Sequence, residues 1–154
     1  QLSGTNYTMN VWTNVIHNDS GESIMGIGFQ KAAQADNTSS VITTKAATIN
    51  NWTAFSSNNY LQSNMAVTNG STGFQMLSIT WNGTIRTLYL NGSVIAMGSI
   101  GNSLDLGNVT FGIPSTGQVA MGNQIVDEAG LWNRSLTQAE VTQIYNVGTG
   151  MTFV

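Results

Sequence analysis

The chain has 154 residues and a net charge of −3, and only 7% of its residues are charged, against roughly 25% in an average soluble domain. Its four basic residues cannot form the basic face that nucleic acid requires, so nucleic acid is excluded as a partner. No apolar run reaches the roughly 20 residues of a membrane helix, and the lack of cysteine excludes disulfides and thiolate metal sites.

The first half of the chain alternates short apolar runs with turn residues, which is typical of a β-sandwich or barrel. Tyr7–Ile16 and Ser23–Gln30 are predicted strands, separated by a turn over residues 17–22. Val41–Thr44 and Trp52–Phe55 are predicted to form two shorter strands in a polar, weakly patterned middle. The chain therefore starts as an all-β protein.

The strongest local signal lies in the stretch Gln75–Ala96. The pairs Asn82-Gly83 and Asn91-Gly92 separate three alternating apolar runs. Asn-Gly supplies the positive φ angles of a type I′ hairpin turn. The stretch therefore predicts a three-stranded meander with two such turns.

Two more strands and one helix are predicted after the meander. Val109–Ile113 and Gln124–Trp132 are apolar enough for strands. Thr137 and Glu140 then form a capping box, and Gly148 is the expected stop of the helix. The helix has one apolar stripe, which must pack on a sheet to be stable because the helix is short: Val141, Ile144 and Tyr145.

Three motifs carry a resemblance to a known family: TWNGTIRTLYLNGSV (80–94), VDEAGLWNRSLTQAEV (126–141) and IYNVG (144–148). Together they resemble the concanavalin A-like lectin/glucanase superfamily, in its laminin G-like and pentraxin-like branch. The resemblance runs from about Tyr7 to Gly148, with a generic middle. It implies a two-sheet antiparallel jelly-roll sandwich with one short C-terminal helix, as a single laminin G-like domain over residues 1–154.

The resemblance also implies ligands, and the sequence differs from the branch in one feature. Members of this branch often bind glycans, proteins or lipids through loops at one rim, frequently with calcium. They usually have a further strand before the equivalent of Tyr7, whereas only residues 1–6 precede it here. Either these residues and Met151–Val154 form a reduced edge, or a neighbouring domain or chain completes the sheet. We expect the chain to be part of a larger protein or assembly.

Asp127 and Glu128 are adjacent carboxylates in a predicted strand. Since neighbouring side chains of a strand point to opposite faces, we expect one of the two to point inward and to need compensating partners. One interpretation is that the pair anchors the final turn and helix, with Arg134 as its partner. The other, implied by the resemblance, is a calcium ion held by Asp127 and backbone carbonyls.

The acidic residues argue against catalysis. Glucanases of this superfamily place two carboxylates at alternate positions of one strand, and no two acidic residues of this chain are two apart. The single histidine, His17, has no sequence context that indicates a catalytic triad. We therefore predict that the chain is not an enzyme and has no catalytic residues.

Trp52, Asn58, Asn59 and Tyr60 are the predicted ligand-binding residues. Sugar binding by stacking needs an exposed aromatic face beside amide hydrogen-bonding groups, and this polar stretch offers both. For Trp52, a place in the core is at least as plausible. The other aromatic residues with assigned positions lie in predicted strands or the helix and are expected in the core.

These observations predict a non-catalytic recognition or adhesion module of a secreted or particle-surface protein. A glycan is the expected ligand, with a surface protein as another partner, and the predicted location is extracellular, at a cell surface or at a virion surface. The alternative is a structural subunit, such as a virion decoration, tail fibre or surface filament, that forms a homo-oligomer through its sheet edge.

Overall fold

The fold is a two-sheet antiparallel β-sandwich with one short helix, as predicted. It is seen in a computed structural model that describes residues 3–4, 6–17, 25–30, 40–45, 49–56, 59–67, 73–99, 104–105, 108–111 and 123–149. The elements, in chain order, are β1 (Ser3–Gly4), β2 (Tyr7–His17), β3 (Met25–Gln30), β4 (Ser40–Lys45), β5 (Ile49–Ser56), β6 (Asn59–Ala66), β7 (Gln75–Trp81), β8 (Arg86–Leu90), β9 (Ser93–Gly98), β10 (Leu104–Asp105), β11 (Asn108–Phe111), β12 (Asn123–Trp132) and α1 (Gln138–Tyr145).

Two five-stranded sheets make the sandwich. The first, here named the helix-bearing sheet, has the strand order β12-β2-β7-β8-β9. The second, named the facing sheet, has the order β11-β3-β4-β5-β6. β7, β8 and β9 are the predicted meander, and every strand pair in both sheets is antiparallel.

The main core lies between the two sheets. Alternation along β2 turns Tyr7, Met9 and Val11 inward, where they meet Trp52 and Ala54 of the facing sheet. Each fully buried large apolar side chain contributes about 1.5–3 kcal/mol. The remaining buried members of this cluster are Val15, Leu61, Val67, Leu77, Ile79, Trp81, Leu88 and Leu90.

A second core lies on the outer face of the helix-bearing sheet. Trp12, Met76 and Tyr89 point outward, and α1 covers them with Val141 and Ile144. The Trp12 and Tyr145 rings are stacked, with centroids 5.8 Å apart and an interplanar angle of 19°. The single helix thus closes the one sheet face that the facing sheet leaves open. Within the described residues, no helix combines the length and the apolar character needed to cross a bilayer.

The two Asn-Gly turns differ. Asn91 and Gly92 have φ angles of 50° and 77°, the type I′ turn predicted between β8 and β9. At the first pair only Gly83 has a positive φ, so the type I′ prediction is wrong there. Asn82 instead accepts hydrogen bonds through Oδ1 from the backbone N–H groups of Thr84 and Ile85, at 3.0 and 2.8 Å, and holds a longer turn.

The helix starts where predicted and ends earlier. Thr137 is the N-cap, and its capping box with Glu140 is formed. The C-cap is Asn146, with a left-handed φ of 44°, so the prediction that Gly148 stops α1 is wrong. Gln138 Nε2 and Thr142 Oγ1 both donate to the carbonyl oxygen of Gly92. The helix therefore rests on the β8–β9 turn.

The described residues before β2 do not extend the helix-bearing sheet. Ser3–Gly4 pairs with Leu104–Asp105 in a separate two-stranded sheet. β12 is therefore an edge strand in the described part of the chain, with β2 as its partner. Completion of this edge by a neighbouring domain or second copy stays a prediction.

Candidate ligand-binding rim

The acidic pair Asp127 and Glu128 lies at a β-bulge of β12. Asp127 pairs with Trp12, but Gly130 pairs with Asn10, so two residues of β12 oppose the single residue Val11. Glu128 takes a left-handed φ of 41° at this bulge. Its backbone N–H donates to Asp127 Oδ1 over 2.8 Å.

The bulge removes the strict alternation on which the sequence prediction rested. Both Asp127 and Glu128 are exposed, so the expectation that one of them points inward is wrong. Water solvates both carboxylates, and neither needs a buried cation. Among the described residues, no group of three His, Cys, Asp or Glu side chains lies close enough to hold a metal ion.

Arg134 pairs with Glu140 and not with the acidic doublet. Its Nη1 and Nη2 donate to Glu140 Oε2 and Oε1 over 3.0 and 2.7 Å. The hydrogen bonds from Arg134 and from Thr137 lower the pKa of the Glu140 carboxyl to about 2. The predicted anchoring of the helix by Asp127 and Glu128 is therefore wrong; Glu140 anchors the helix start.

Trp52 lies in the main core with 0% of its surface exposed. It stands between Asn51, whose Nδ2 donates to the carbonyl oxygen of Ser63 over 2.8 Å, and Thr53, which is also buried. Its ring faces are covered by the core and are not available for stacking on a sugar in this structure. Of the two interpretations of Trp52, the structure fits core filling.

The other predicted ligand residues fall at one hairpin. Asn59 and Tyr60 begin β6, the edge strand of the facing sheet, and pair with Ser56 and Phe55 of β5. Asn58 lies outside the described residues. The structure thus brings Asn59 and Tyr60 together and separates them from Trp52; their role in binding stays a prediction.

Arg86 is a functional candidate that the sequence prediction missed. It is 0% exposed and starts β8 with its side chain turned inward, like Leu88 and Leu90. Its guanidinium carbon lies 5.0 Å from the centroid of the Trp81 ring and 5.9 Å from that of Tyr7. The alternation of the run RTLYL was the signal that could have shown an inward arginine.

Arg86 and the start of β6 lie at the same end of the sandwich. Arg86 pairs with Gly98 at the end of β9. A methyl group added at Gly98 would lie 3.1 Å from Leu61 Cδ1, so β6 packs directly against this position. Tyr60 is the neighbour of Leu61 in the chain. We name this end, defined by Tyr60, Leu61, Trp81, Arg86 and Gly98, the Arg86 rim.

Solved structures share this fold over nearly the whole chain. A native heptameric SAP-like pentraxin from Limulus polyphemus covers 92% of the chain at a TM-score of 0.68 and 12% identity, and the chain spans 70% of it. Domain 4 of AbnA, a GH43 extracellular arabinanase from Geobacillus stearothermophilus solved in complex with arabinotriose, also covers 92%, at a TM-score of 0.69 and 15% identity. The chain spans 66% of that structure.

A third similar structure comes from work on the cell entry of botulinum neurotoxin type C, which depends upon interaction with two ganglioside molecules. It covers 95% of the chain at a TM-score of 0.67 and 14% identity, and the chain spans 37% of its length. No family model matches the sequence, and no curated protein matches it. At these identities the likeness is one of fold: the chain has the concanavalin A-like lectin/glucanase fold that its sequence motifs predicted.

Proposed function

We propose that the chain is a non-catalytic glycan-recognition module. The observation that carries this proposal is the likeness to AbnA domain 4, a structure of similar fold solved with an arabinose trisaccharide. The structure from work on botulinum neurotoxin type C, whose cell entry depends upon interaction with two ganglioside molecules, is a second neighbour connected with glycans. The weakly charged, Asn-, Ser- and Thr-rich sequence suits such a surface, because neutral sugars are recognised mainly through amide and hydroxyl hydrogen bonds and aromatic stacking.

The proposed binding surface is the start of β6 at the Arg86 rim. Tyr60 supplies an aromatic ring, and Asn58 and Asn59 supply amide donors and acceptors next to it in the chain. Their position on an edge strand, at a hairpin, leaves one side of the backbone without a neighbouring strand in the described part of the chain. Trp52, which fills the core, is not part of this surface.

The acidic residues support the absence of catalysis. Asp127 and Glu128 are the only adjacent acidic residues of the sequence, and no two acidic residues are two apart, the spacing that places an acid and a nucleophile on one face of a strand. Because one similar structure is a domain of an arabinanase, this proposal needs its own test. We expect no release of reducing sugar from arabinan or from any glycan that the module binds.

Calcium at Asp127 remains a separate proposal. Calcium takes about six to eight oxygen ligands, and Asp127 and Glu128 are the acidic side chains at the β12 bulge. Backbone carbonyls and amide side chains would have to complete the site. We expect the melting temperature to fall on addition of a chelator if calcium is bound at Asp127, and this fall to disappear in Asp127→Asn. A melting temperature that the chelator leaves unchanged removes calcium from the proposal.

The proposed setting is a secreted protein or the surface of a cell or particle. The architectural alternative, assembly through a sheet edge, is supported by large apolar side chains exposed on both edge strands of the helix-bearing sheet. Ile125 of β12 is 48% exposed and Met97 of β9 is 61% exposed. A recognition module does not need to form oligomers in order to bind its ligand, whereas an assembling subunit forms them at micromolar concentration. Sedimentation at that concentration therefore separates the two functions.

A glycan array with the purified chain tests the recognition function. We expect binding to a defined set of glycans, lost in Tyr60→Ala and weakened in Asn59→Ala. The matched control is Asn64→Ala, an exposed asparagine on the same strand. Silence of the folded wild-type chain across the array, or equal loss of binding in the Asn64 variant, would contradict the proposal.

A further inference from the structure

The Arg86 rim contains a group of buried hydrogen-bond donors without acceptors. Nε, Nη1 and Nη2 of Arg86 all lack a hydrogen-bond partner in the part of the chain that the structure describes. The indole Nε1 of Trp81, whose ring lies against the guanidinium, is also buried and lacks one. Neither a guanidinium nor an indole N–H can accept a hydrogen bond. The residues that the structure describes therefore supply no hydrogen-bond acceptor to this group of donors.

The contacts already present do not replace such an acceptor. Arg86 Cζ lies over the Trp81 and Tyr7 rings, so the rings engage the faces of the planar guanidinium through cation–π attraction. The N–H groups of a guanidinium radiate in its plane and stay open to hydrogen bonds. Burial lowers the pKa of Arg86, and the charge interaction with Tyr7 opposes this effect. A buried cation of this kind is costly unless an anion or hydrogen-bond acceptor compensates it.

We propose that the Arg86 rim binds an oxyanion, the carboxylate or sulfate group of an acidic glycan, with Arg86 and the Trp81 indole N–H as its donors. A planar fork of N–H groups matches the oxygen atoms of such a group and binds them with charge-assisted hydrogen bonds. This inference rests on the proposed glycan recognition for the sugar part of the ligand. It narrows the ligand class from glycans in general to those that carry a negative charge.

Arg86 is buried, but its neighbours in the chain and across the strand pair reach the surface. Asn82, Gly83 and Thr84, in the turn that leads into β8, are exposed. On the other side of Arg86, Gly98 is half-buried and Ser99 is exposed. Exposed residues thus lie two to four positions before Arg86 in the chain, and one position after its partner Gly98 in β9. Binding of an oxyanion therefore requires the rim to open far enough to expose the guanidinium, with the neutral rest of the glycan at the start of β6.

Binding of small probes to the intact chain tests this inference directly. Acetate, sulfate, glucuronate and glucose are titrated at constant ionic strength in chloride buffer, with binding followed by calorimetry and tryptophan fluorescence. We expect saturable binding of glucuronate to the wild type and binding about tenfold or more weaker in Arg86→Met. Arg134→Met is the matched control, because it removes the same charge from an exposed arginine, and we expect it to bind like the wild type.

Two further variants keep the test decisive if Arg86→Met does not fold. Arg86→Lys keeps the positive charge and loses the planar fork, and Trp81→Phe keeps a ring and loses the indole N–H. We expect both to bind the oxyanion more weakly than the wild type while far-ultraviolet circular dichroism and the cooperativity of thermal unfolding remain native. Unchanged affinity in both folded variants would overturn the assignment of these donors.

The outcomes separate this inference from the proposed function. Binding of acetate and sulfate as tight as that of glucuronate, together with a silent glycan array, supports the oxyanion site and contradicts glycan recognition. Binding of neutral glycans that Arg86→Met leaves unchanged, without any response to the anions, supports glycan recognition and overturns the oxyanion site. The latter result would mean that ordered water satisfies the Arg86 donors.

Discussion

Arg86, in the helix-bearing sheet, and Arg134, between β12 and α1, have opposite environments. Arg134 has 56% of its side chain exposed and makes a bidentate ion pair with Glu140, which also receives hydrogen bonds from the backbone and hydroxyl of Thr137. Arg86 is 0% exposed, and its guanidinium nitrogens have no hydrogen-bond partner among the described residues. The buried arginine, whose charge is the more costly to desolvate, therefore has fewer hydrogen bonds than the exposed one.

This difference separates a structural arginine from a candidate binding residue. At the helix start Nη1 and Nη2 of Arg134 and the backbone N–H and hydroxyl of Thr137 all donate to Glu140, so these donors find their acceptor within the chain. An exposed ion pair of this type adds little stability, and its value lies in fixing the geometry of the helix start. At the Arg86 rim none of the described residues accepts a hydrogen bond from the guanidinium, and an incomplete polar cluster of this kind is where a ligand adds most.

The largest expected effect tests whether the Arg86 rim is part of the core. Trp81 is 4% exposed and belongs to the main apolar cluster, so Trp81→Ala removes a large buried ring. We expect a loss of about 3–5 kcal/mol in the free energy of unfolding, measured by urea denaturation. Trp81→Phe, which keeps most of the volume, is the control. A loss below about 1 kcal/mol in Trp81→Ala would show that the rim is loosely packed.

The next effect concerns the helix side of the same sheet. A methyl group at Gly130 would overlap the side-chain oxygen of Asn10 and lie 2.5 Å from Trp132 Cη2. We expect Gly130→Ala to lower the free energy of unfolding by about 1–3 kcal/mol. Gly98→Ala is the matched variant at the Arg86 rim, where the nearest atom is the end of the flexible Leu61 side chain at 3.1 Å, and its effect should be smaller. A reversed order would contradict the packing described for the two sides.

Removal of Arg86 and removal of Arg134 should have different effects on stability. In chloride buffer without an oxyanion, Arg86→Met replaces an uncompensated buried cation by an apolar chain of similar length. We expect the free energy of unfolding to stay constant or to rise by up to about 2 kcal/mol. Arg134→Met removes a satisfied ion pair, and its melting temperature should fall slightly. A strong destabilisation by Arg86→Met would show that the chain itself already satisfies this arginine.

The smallest effect is a pH dependence at the helix start. The pKa of Glu140 is lowered from 4.5 to about 2, so its contribution to stability is complete above pH 4.5 and is lost as the pH falls toward 2. We expect the melting temperature of the wild type to exceed that of Glu140→Gln at pH 6 and to approach it at pH 2. A difference that persists unchanged at pH 2 would argue against the ion pair as its source.

The parts of the fold that the sequence predicted depend on local chemistry. The capping box of Thr137 and Glu140, the type I′ turn at Asn91-Gly92 and the alternation in β7 and β8 are each fixed by residues close together in the chain. Local signals of this kind are independent of the neighbouring sheet. The resemblance of the C-terminal motif to a known superfamily predicted the sandwich that these elements build.

The parts that the sequence did not predict depend on contacts between distant strands. The bulge at Glu128 is visible only in the register of β12 against β2, and it turns a supposedly half-buried acidic pair into two exposed carboxylates. The burial of Trp52 depends on the helix-bearing sheet across the core, because a tryptophan in a polar stretch has no local feature that distinguishes core from surface. The fold tolerates the exposure of Asp127 and Glu128, so it did not require a buried carboxylate.

The support of α1 on the β8–β9 turn has a consequence for biosynthesis. A ribosome delivers the strands β2, β7 and β8 well before residues 136–145, which cover Trp12, Met76 and Tyr89. Until those residues emerge, the nascent sheet presents a bare aromatic surface that chaperones or other nascent chains can bind. An mRNA truncated before the codon for Thr137 should therefore yield an aggregation-prone product that is degraded or aggregates, even though every strand of the sheet has been made.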